Sequence, residues 1–221
     1  MGGCIEKEFK EADTSGKTTF DQKDARLLKR LNEVEQFEFT FPFYRMRIDQ
    51  FEGRIKRYVN VEDSNAVSMR QLRYSFQEDD PWGGLTDETS VMYRLFQQPE
   101  LRDENNTDKY SVHKLICLGM MLCGGESELK ARVMYDALQD NMQLKISSSD
   151  KDFKTVFRYM VEISCYMMLR LYREEARAPM MTGHYPQPGT QDFENVLEDF
   201  LEEFLDTIFG NDSNLSRPDF L

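Results

Sequence analysis

Apolar residues recur along most of this chain at intervals of three and four, the period of a helix with one buried face. Leu27, Leu28, Leu31 and Val34 make such a stripe between Asp21 and Gln36, and Tyr44, Ile48, Phe51, Ile55 and Tyr58 make the next. Between them Phe37, Phe39, Phe41 and Phe43 alternate, which predicts a short extended piece ended by Pro42 that buries an aromatic wedge. Pro81, Gly83 and Gly84 set a loop around Trp82. The following helix, with Thr86 or Asp87 as its cap, turns Val91, Leu95 and Phe96 inward as far as Pro99. A helix through Leu122 stops at Gly124 and Gly125. Leu129, Val133, Ala137 and Leu138 then open a second half, continued by Phe153, Val156, Phe157, Met160 and Ile163. The last helix is the most amphipathic. Phe193, Val196, Leu197, Phe200, Phe204, Leu205 and Ile208 form one stripe, and acids cover the rest up to Gly210.

The polar gaps between these helices carry a second pattern. A calcium loop takes oxygens from positions 1, 3, 5, 7 and 9 and a bidentate Glu at 12. An apolar residue at position 8 pairs neighbouring loops. With Tyr110 at that apolar position, "DENNTDKYSVHK" supplies Asp103, Asn105, Thr107, the Lys109 carbonyl and Ser111, and then Lys114 where the closing carboxylate belongs. Asp108 falls where the sharp turn usually wants Gly, a position Asp tolerates in the left-handed region. Val67 sets an equivalent frame with Asn60, Glu62, Ser64, Ser68 and Gln71, and Ile146 another with Gln139, Asn141, Gln143, Ser147 and Asp150. A fourth unit is expected around Tyr185, with Gly183 at its turn and Ala178 and Gly189 at its ends. No unit has an acid at both position 1 and position 12. The metal positions Asp103, Asn105, Thr107, Ser111, Asn141 and Asp150 are therefore expected to be vestigial, with no site tighter than about the millimolar end of the range for such loops.

The stretch "LGMMLCGGESELKARVMYDALQDNMQLKISSSDKDF", with its "YD" before the loop and "IS" after it, resembles the neuronal calcium sensor and calcineurin B-like branch of the EF-hand superfamily. The resemblance implies an all-α fold of two lobes of paired EF-hand units, here degenerate, with an extra amphipathic C-terminal helix. It also implies an apolar groove that holds a partner helix, and in many members an N-terminal acyl chain. The expected organisation is a flexible tail over residues 1–19, lobes over 20–123 and 124–209, and a tail over 210–221. Phe157, Met160, Met167 and Met168, with Phe200 and Phe204, are the candidate groove lining, although helix-spaced Met is more often plain core.

Composition narrows the function. The net charge of -12, with 28 Lys and Arg against 40 Asp and Glu, argues against a nucleic-acid partner, since phosphate binding needs an excess of cations. His113 and His184 are the only side chains whose ordinary pKa lies near neutrality. No phosphate loop, nucleophile elbow, kinase signature or zinc spacing occurs, so no enzyme is expected. Cys4, Cys117, Cys123 and Cys165 lack metal-ligand spacing, and Cys117 and Cys123 read as small buried hydrophobes. "MGGCIEKEFKEADTSGK" has no apolar core for secretion, and Leu115 to Cys123 is too short to span a bilayer. An intracellular protein is expected, cytoplasmic or peripheral on a membrane or large assembly.

The same N-terminus offers Gly2 for myristoylation and Cys4 for palmitoylation, two chains that would together anchor stably, although Glu6 replaces the usual Ser or Thr. Arg45, Arg47, Arg54, Lys56 and Arg57 form a basic face suited to anionic head groups or to internal pairing with Asp49 and Glu52. The chain is thus expected to be a non-catalytic adaptor or structural subunit that grips a helix of a larger assembly without calcium or another cofactor. A calcium-regulated sensor, using the Gln139 to Asp150 loop, is the alternative.

Overall fold

The computed structural model describes residues 32–59, 65–76, 80–138, 145–176, 189–210, 212 and 214–220. By contacts the chain divides into two compact units, Met1–Glu35 and Gln36–Leu221. Of the first, residues 32–35 are described, and they are helical. The second is mostly helical, with two short antiparallel ladders. Its elements are α1 (Ile48–Lys56), β1 (Ala66–Ser68), α2 (Met69–Phe76), α3 (Val91–Phe96), β2 (Lys109–Ser111), α4 (Val112–Leu122), α5 (Ser127–Leu138), β3 (Lys145–Ser147), α6 (Lys151–Glu162), α7 (Leu169–Ala176), α8 (Gln191–Phe209), β4 (Asn214–Ser216) and α9 (Arg217–Phe220). Short 3-10 turns at Pro42–Arg45, Asp80–Leu85 and Pro99–Leu101 fill the bends.

Each of the four strands leads directly into a helix: β1 into α2, β2 into α4, β3 into α6 and β4 into α9. β1 pairs with β2 so that Val67 faces Tyr110, and β3 pairs with β4 so that Ile146 faces Leu215. All four residues are buried in one continuous core that runs from Phe41 to Leu215, so the two halves share their interior. Strands this short hold few backbone bonds, and burial of their central residues fixes the register.

Three local expectations are corrected. The Phe37 to Phe43 stretch forms no strand, because it has no strand partner and Pro42 starts a 3-10 turn. The aromatic wedge does form: Phe43 is fully buried, with its ring 4.9 Å from Trp82 and 5.3 Å from Phe51. The cap of α3 is Ser90, whose hydroxyl accepts from the Tyr93 amide, while Thr86 and Asp87 are spent on turns with Gly83 and Thr89. Residues 210–221, read as a tail, contain β4 and α9, and α8 is therefore the helix that leads into this last ladder strand. The expected fourth centre at Tyr185 lies outside the described residues.

Gly124 ties the halves through the backbone: its amide donates to the Met46 carbonyl and its carbonyl accepts from the Ile48 amide, both at 3.0 Å. Gly119 of α4 lets that helix touch α1, since a Cβ there would sit 2.5 Å from the Phe51 ring. Among the described residues no helix is long and apolar enough to cross a membrane.

Candidate functional site

The turn between Leu101 and β2 is closed by its own hydrogen bonds. The Asp103 carboxylate accepts from the backbone amides of Asn105 and Asn106, at 3.0 and 2.9 Å. The Asp103 amide donates to the Lys109 carbonyl, and the Lys109 amide donates to the Asn106 carbonyl. One oxygen of the Asp103 carboxylate and the Lys109 carbonyl thus accept from amides of the turn itself. Asn105 and Thr107 stand exposed on the turn. Asp108 does not take the left-handed conformation expected of it. Among the described non-glycine residues only Asn65 does, with φ 56°, at the equivalent position of the turn before β1. Asp108 instead donates its amide to the Asn106 side chain.

Lys114 occupies the closing position and is 7% exposed. Its ammonium donates to the Arg102 carbonyl at 3.1 Å, pairs with Glu104 at 3.3 Å, and lies 4.7 Å from the centre of the Tyr159 ring. Tyr159 comes from α6, and its hydroxyl donates to Glu104 at 3.0 Å. The Tyr159 hydrogen bond, followed by that from Lys114, holds the Glu104 carboxyl below the usual carboxylate range; burial chiefly raises the Tyr159 phenol. A cation supplied by the chain itself thus joins the turn to the second half. Arg170 extends the same seam, donating to Glu100 at 2.6 Å and to Gln98 at 2.7 Å, and Arg94 pairs with Glu175.

The other closing residues also serve their own backbone. Gln71 accepts from the Ser68 amide and hydroxyl at 2.7 and 2.9 Å while the Ser68 hydroxyl accepts from the Gln71 amide, a reciprocal helix cap. Asp150 caps α6 through the Asp152 amide, and Asp219 accepts from the Ser216 amide and hydroxyl. Ser111 caps α4. In each case an apolar strand residue is followed by Ser and, three positions later, by the closing residue: Val67-Ser68 with Gln71, Tyr110-Ser111 with Lys114, Ile146-Ser147 with Asp150, Leu215-Ser216 with Asp219. That repeated pair was the signal that would have located the fourth unit at Leu215. In the Asp103–Lys114 turn an ammonium stands where a calcium loop has its bidentate acid.

The candidate groove residues separate. Phe157 and Phe204 meet, with ring centroids 4.7 Å apart, and Phe204 also stacks on Phe153. They are covered by α8, whose Phe193 and Leu197 form a small cluster with Phe157 and whose Glu194 takes both arms of Arg158. The helix thus fills this groove with its own stripe. Met160 is half-buried, whereas Met167 and Met168 are fully buried in the main core. A π-helical turn at Ile163–Met168 between α6 and α7 shifts the phase and brings both side chains inside. Phe200 points outward and is 57% exposed.

Cys117 and Cys123 are buried, and burial pushes both thiols up to about 12; Cys165 is exposed. Of the basic face, Arg47 pairs with Asp49 and Lys56 with Glu52, Arg54 lies over Phe76, and Arg57 over Tyr58. His113 is half-buried. Gly2, Cys4, Asn141 and His184 lie outside the described residues.

Among the described residues two buried side-chain atoms lack a hydrogen-bond partner, Arg94 Nε and the Tyr110 hydroxyl, and burial pushes the Tyr110 pKa up to about 12. Tyr110→Phe removes that oxygen while keeping the ring under the Arg102 guanidinium, 4.1 Å away. The melting temperature is expected to stay level or rise, by up to about 1 kcal/mol of stability. A fall of several degrees in a thermal melt refutes this.

No protein-family model, curated protein or solved structure matches the chain.

Proposed function

We propose that this chain is a non-catalytic adaptor or structural subunit built from two pairs of degenerate EF-hand units, shaped by internal hydrogen bonds and apolar pairing in place of calcium. The observation that carries the reading is Lys114, a buried ammonium bonded to the Arg102 carbonyl and Glu104 at the position where a calcium loop closes. Because the turn is already complete, the body is competent to hold a partner at any calcium level. Its partner is a protein segment of a larger assembly, met on a surface that α8 leaves open. Acylation at Gly2 and Cys4 would add attachment to a membrane, and the intact mass of the protein isolated from cells reports it directly.

Titration calorimetry with calcium tests the reading. No heat of binding is expected below about millimolar calcium, and the melting temperature should be the same in calcium and in chelator. A micromolar site would replace the adaptor by a calcium-regulated sensor, with the Gln139 to Asp150 loop as the place to look.

A further inference from the structure

Two surfaces of the body are built to complement each other but are not joined within one copy. The first is a cleft of about 360 Å³ between α2 and the Asp80–Leu85 turn. Its floor is the stacked pair Phe76 and Trp82, with ring centroids 4.2 Å apart. Its rim carries Arg70, Arg73 and the half-exposed Tyr74. The Arg73 side chain is fixed there by a 3.1 Å bond from Nε to the Leu85 carbonyl, and Arg70 lies over the Tyr74 ring. Among the described residues neither guanidinium has a carboxylate partner.

The second surface is the outer face of α8. Val196 and Phe200, one turn apart, are 40% and 57% exposed, and Asp199 and Glu203 flank them. The helix carries acids at 192, 194, 198, 199, 202, 203 and 206 and no cation. Of these, Glu194 alone has an ion-pair partner among the described residues. Like charges spaced three and four apart on a helix repel one another, and a cationic partner relieves that repulsion. The inner stripe of α8 is fastened to α6 through Phe204 and Glu194, so its outer face is held out to solvent.

We propose that Phe200 of one copy enters the Phe76–Trp82 cleft of a second copy, with Asp199 and Glu203 set against Arg70 and Arg73, so that the chain assembles head to tail. The cleft lies at the small end of ligand-sized pockets, suited to one aromatic side chain and its neighbours. The two surfaces differ, so the contact is heterologous and propagates into open chains or closes into rings. An interface this small is weak and strongly salt-dependent. The inference goes beyond the adaptor reading and uses none of the turn residues, so the calcium titration and the test below succeed or fail separately.

Sedimentation velocity on the full chain decides it. In low salt the average sedimentation coefficient should rise with concentration over about 10 µM to 1 mM, and it should return to the monomer value at about 0.5 M salt. Arg70→Glu removes the cleft and Phe200→Asp removes the helix face; both positions are exposed, so helical circular dichroism should be unchanged and each variant should be monomeric alone. Mixed, they should form one-to-one dimers and nothing larger, because each retains the surface the other has lost. A wild type that stays monomeric at the highest concentration, variants that associate as the wild type does, or a mixture that stays monomeric would each overturn the proposal.

Discussion

Gly119→Val is expected to lower the melting temperature by about 6 °C or more, through the α1–α4 contact. A Cβ at this position would lie 2.5 and 2.7 Å from two atoms of the Phe51 ring and 3.0 Å from Ile48. The ring cannot step aside, because Phe51 is fully buried and held among Phe43, Phe76 and Trp82, with centroids 5.3 to 6.0 Å away. Overpacking of a closed core costs about 1–3 kcal/mol for added methylenes, and valine adds branching on top of the clash. An alanine would recover about 1 kcal/mol of helix propensity, which valine largely forfeits. At roughly 2–4 °C per kcal/mol for a chain of this size, a loss near 3 kcal/mol gives the stated shift. Gly53→Ala in α1 is the control: nothing lies within 4 Å of a Cβ there, so the same class of change should raise stability slightly. If the Gly119 variant melts within a degree or two of the wild type, α1 and α4 are not in the contact described.

The pairing of Val67 with Tyr110 was legible in the sequence because an apolar residue at one fixed offset inside a polar gap is a local signal. Ile146 was legible for the same reason, but its partner was not. The stripe of α8 ended at a glycine with positive φ, Gly210, which reads as a terminator although it is a bend into β4. The spacing from Ile146 to Leu215 is also 69 residues, against 43 from Val67 to Tyr110 and 36 from Tyr110 to Ile146, so a search at constant period passes over it. The recurrence of Ser after each apolar strand residue is insensitive to that spacing. Other features had no local signature. Tyr159 meets Glu104 across 55 residues and Arg170 meets Glu100 across 70, and nothing in either neighbourhood marks its partner. The inward turn of both Met167 and Met168 depends on a π-helical phase shift that a strict 3.6-residue reading does not contain.

Lys114→Glu, which restores the acid that a calcium loop would have at its end, is expected to destabilise the protein and to gain nothing from calcium. The new carboxyl would lie where the present side chain is 8% exposed, facing the Arg102 carbonyl and the Glu104 carboxylate in place of a donor. Glu104 is itself 70% exposed, so its ion pair with Lys114 is worth little, and the loss comes mainly from burying an anion without a partner. A loss of about 2–4 kcal/mol follows at pH 7.5. Lys114→Met keeps the apolar stem against Tyr159 and should lose less. The pH dependence separates the two states. In the wild type the Glu104 carboxyl is held low by Tyr159 and Lys114, so its contribution is present above the unfolded value of about 4.3 and fades as pH falls through the lower folded value. In the variant the buried acid has a raised pKa and takes up its proton more readily when folded, so the deficit should shrink between pH 7.5 and about 5. Calcium at a few millimolar should leave the variant's melting temperature unchanged, because the Asp103 carboxylate stays bonded to the Asn105 and Asn106 amides and Asp108 is not in the left-handed turn. Recovery of the variant by calcium would mean that the turn reopens into a metal cage, and the adaptor reading would then fail at its central residue.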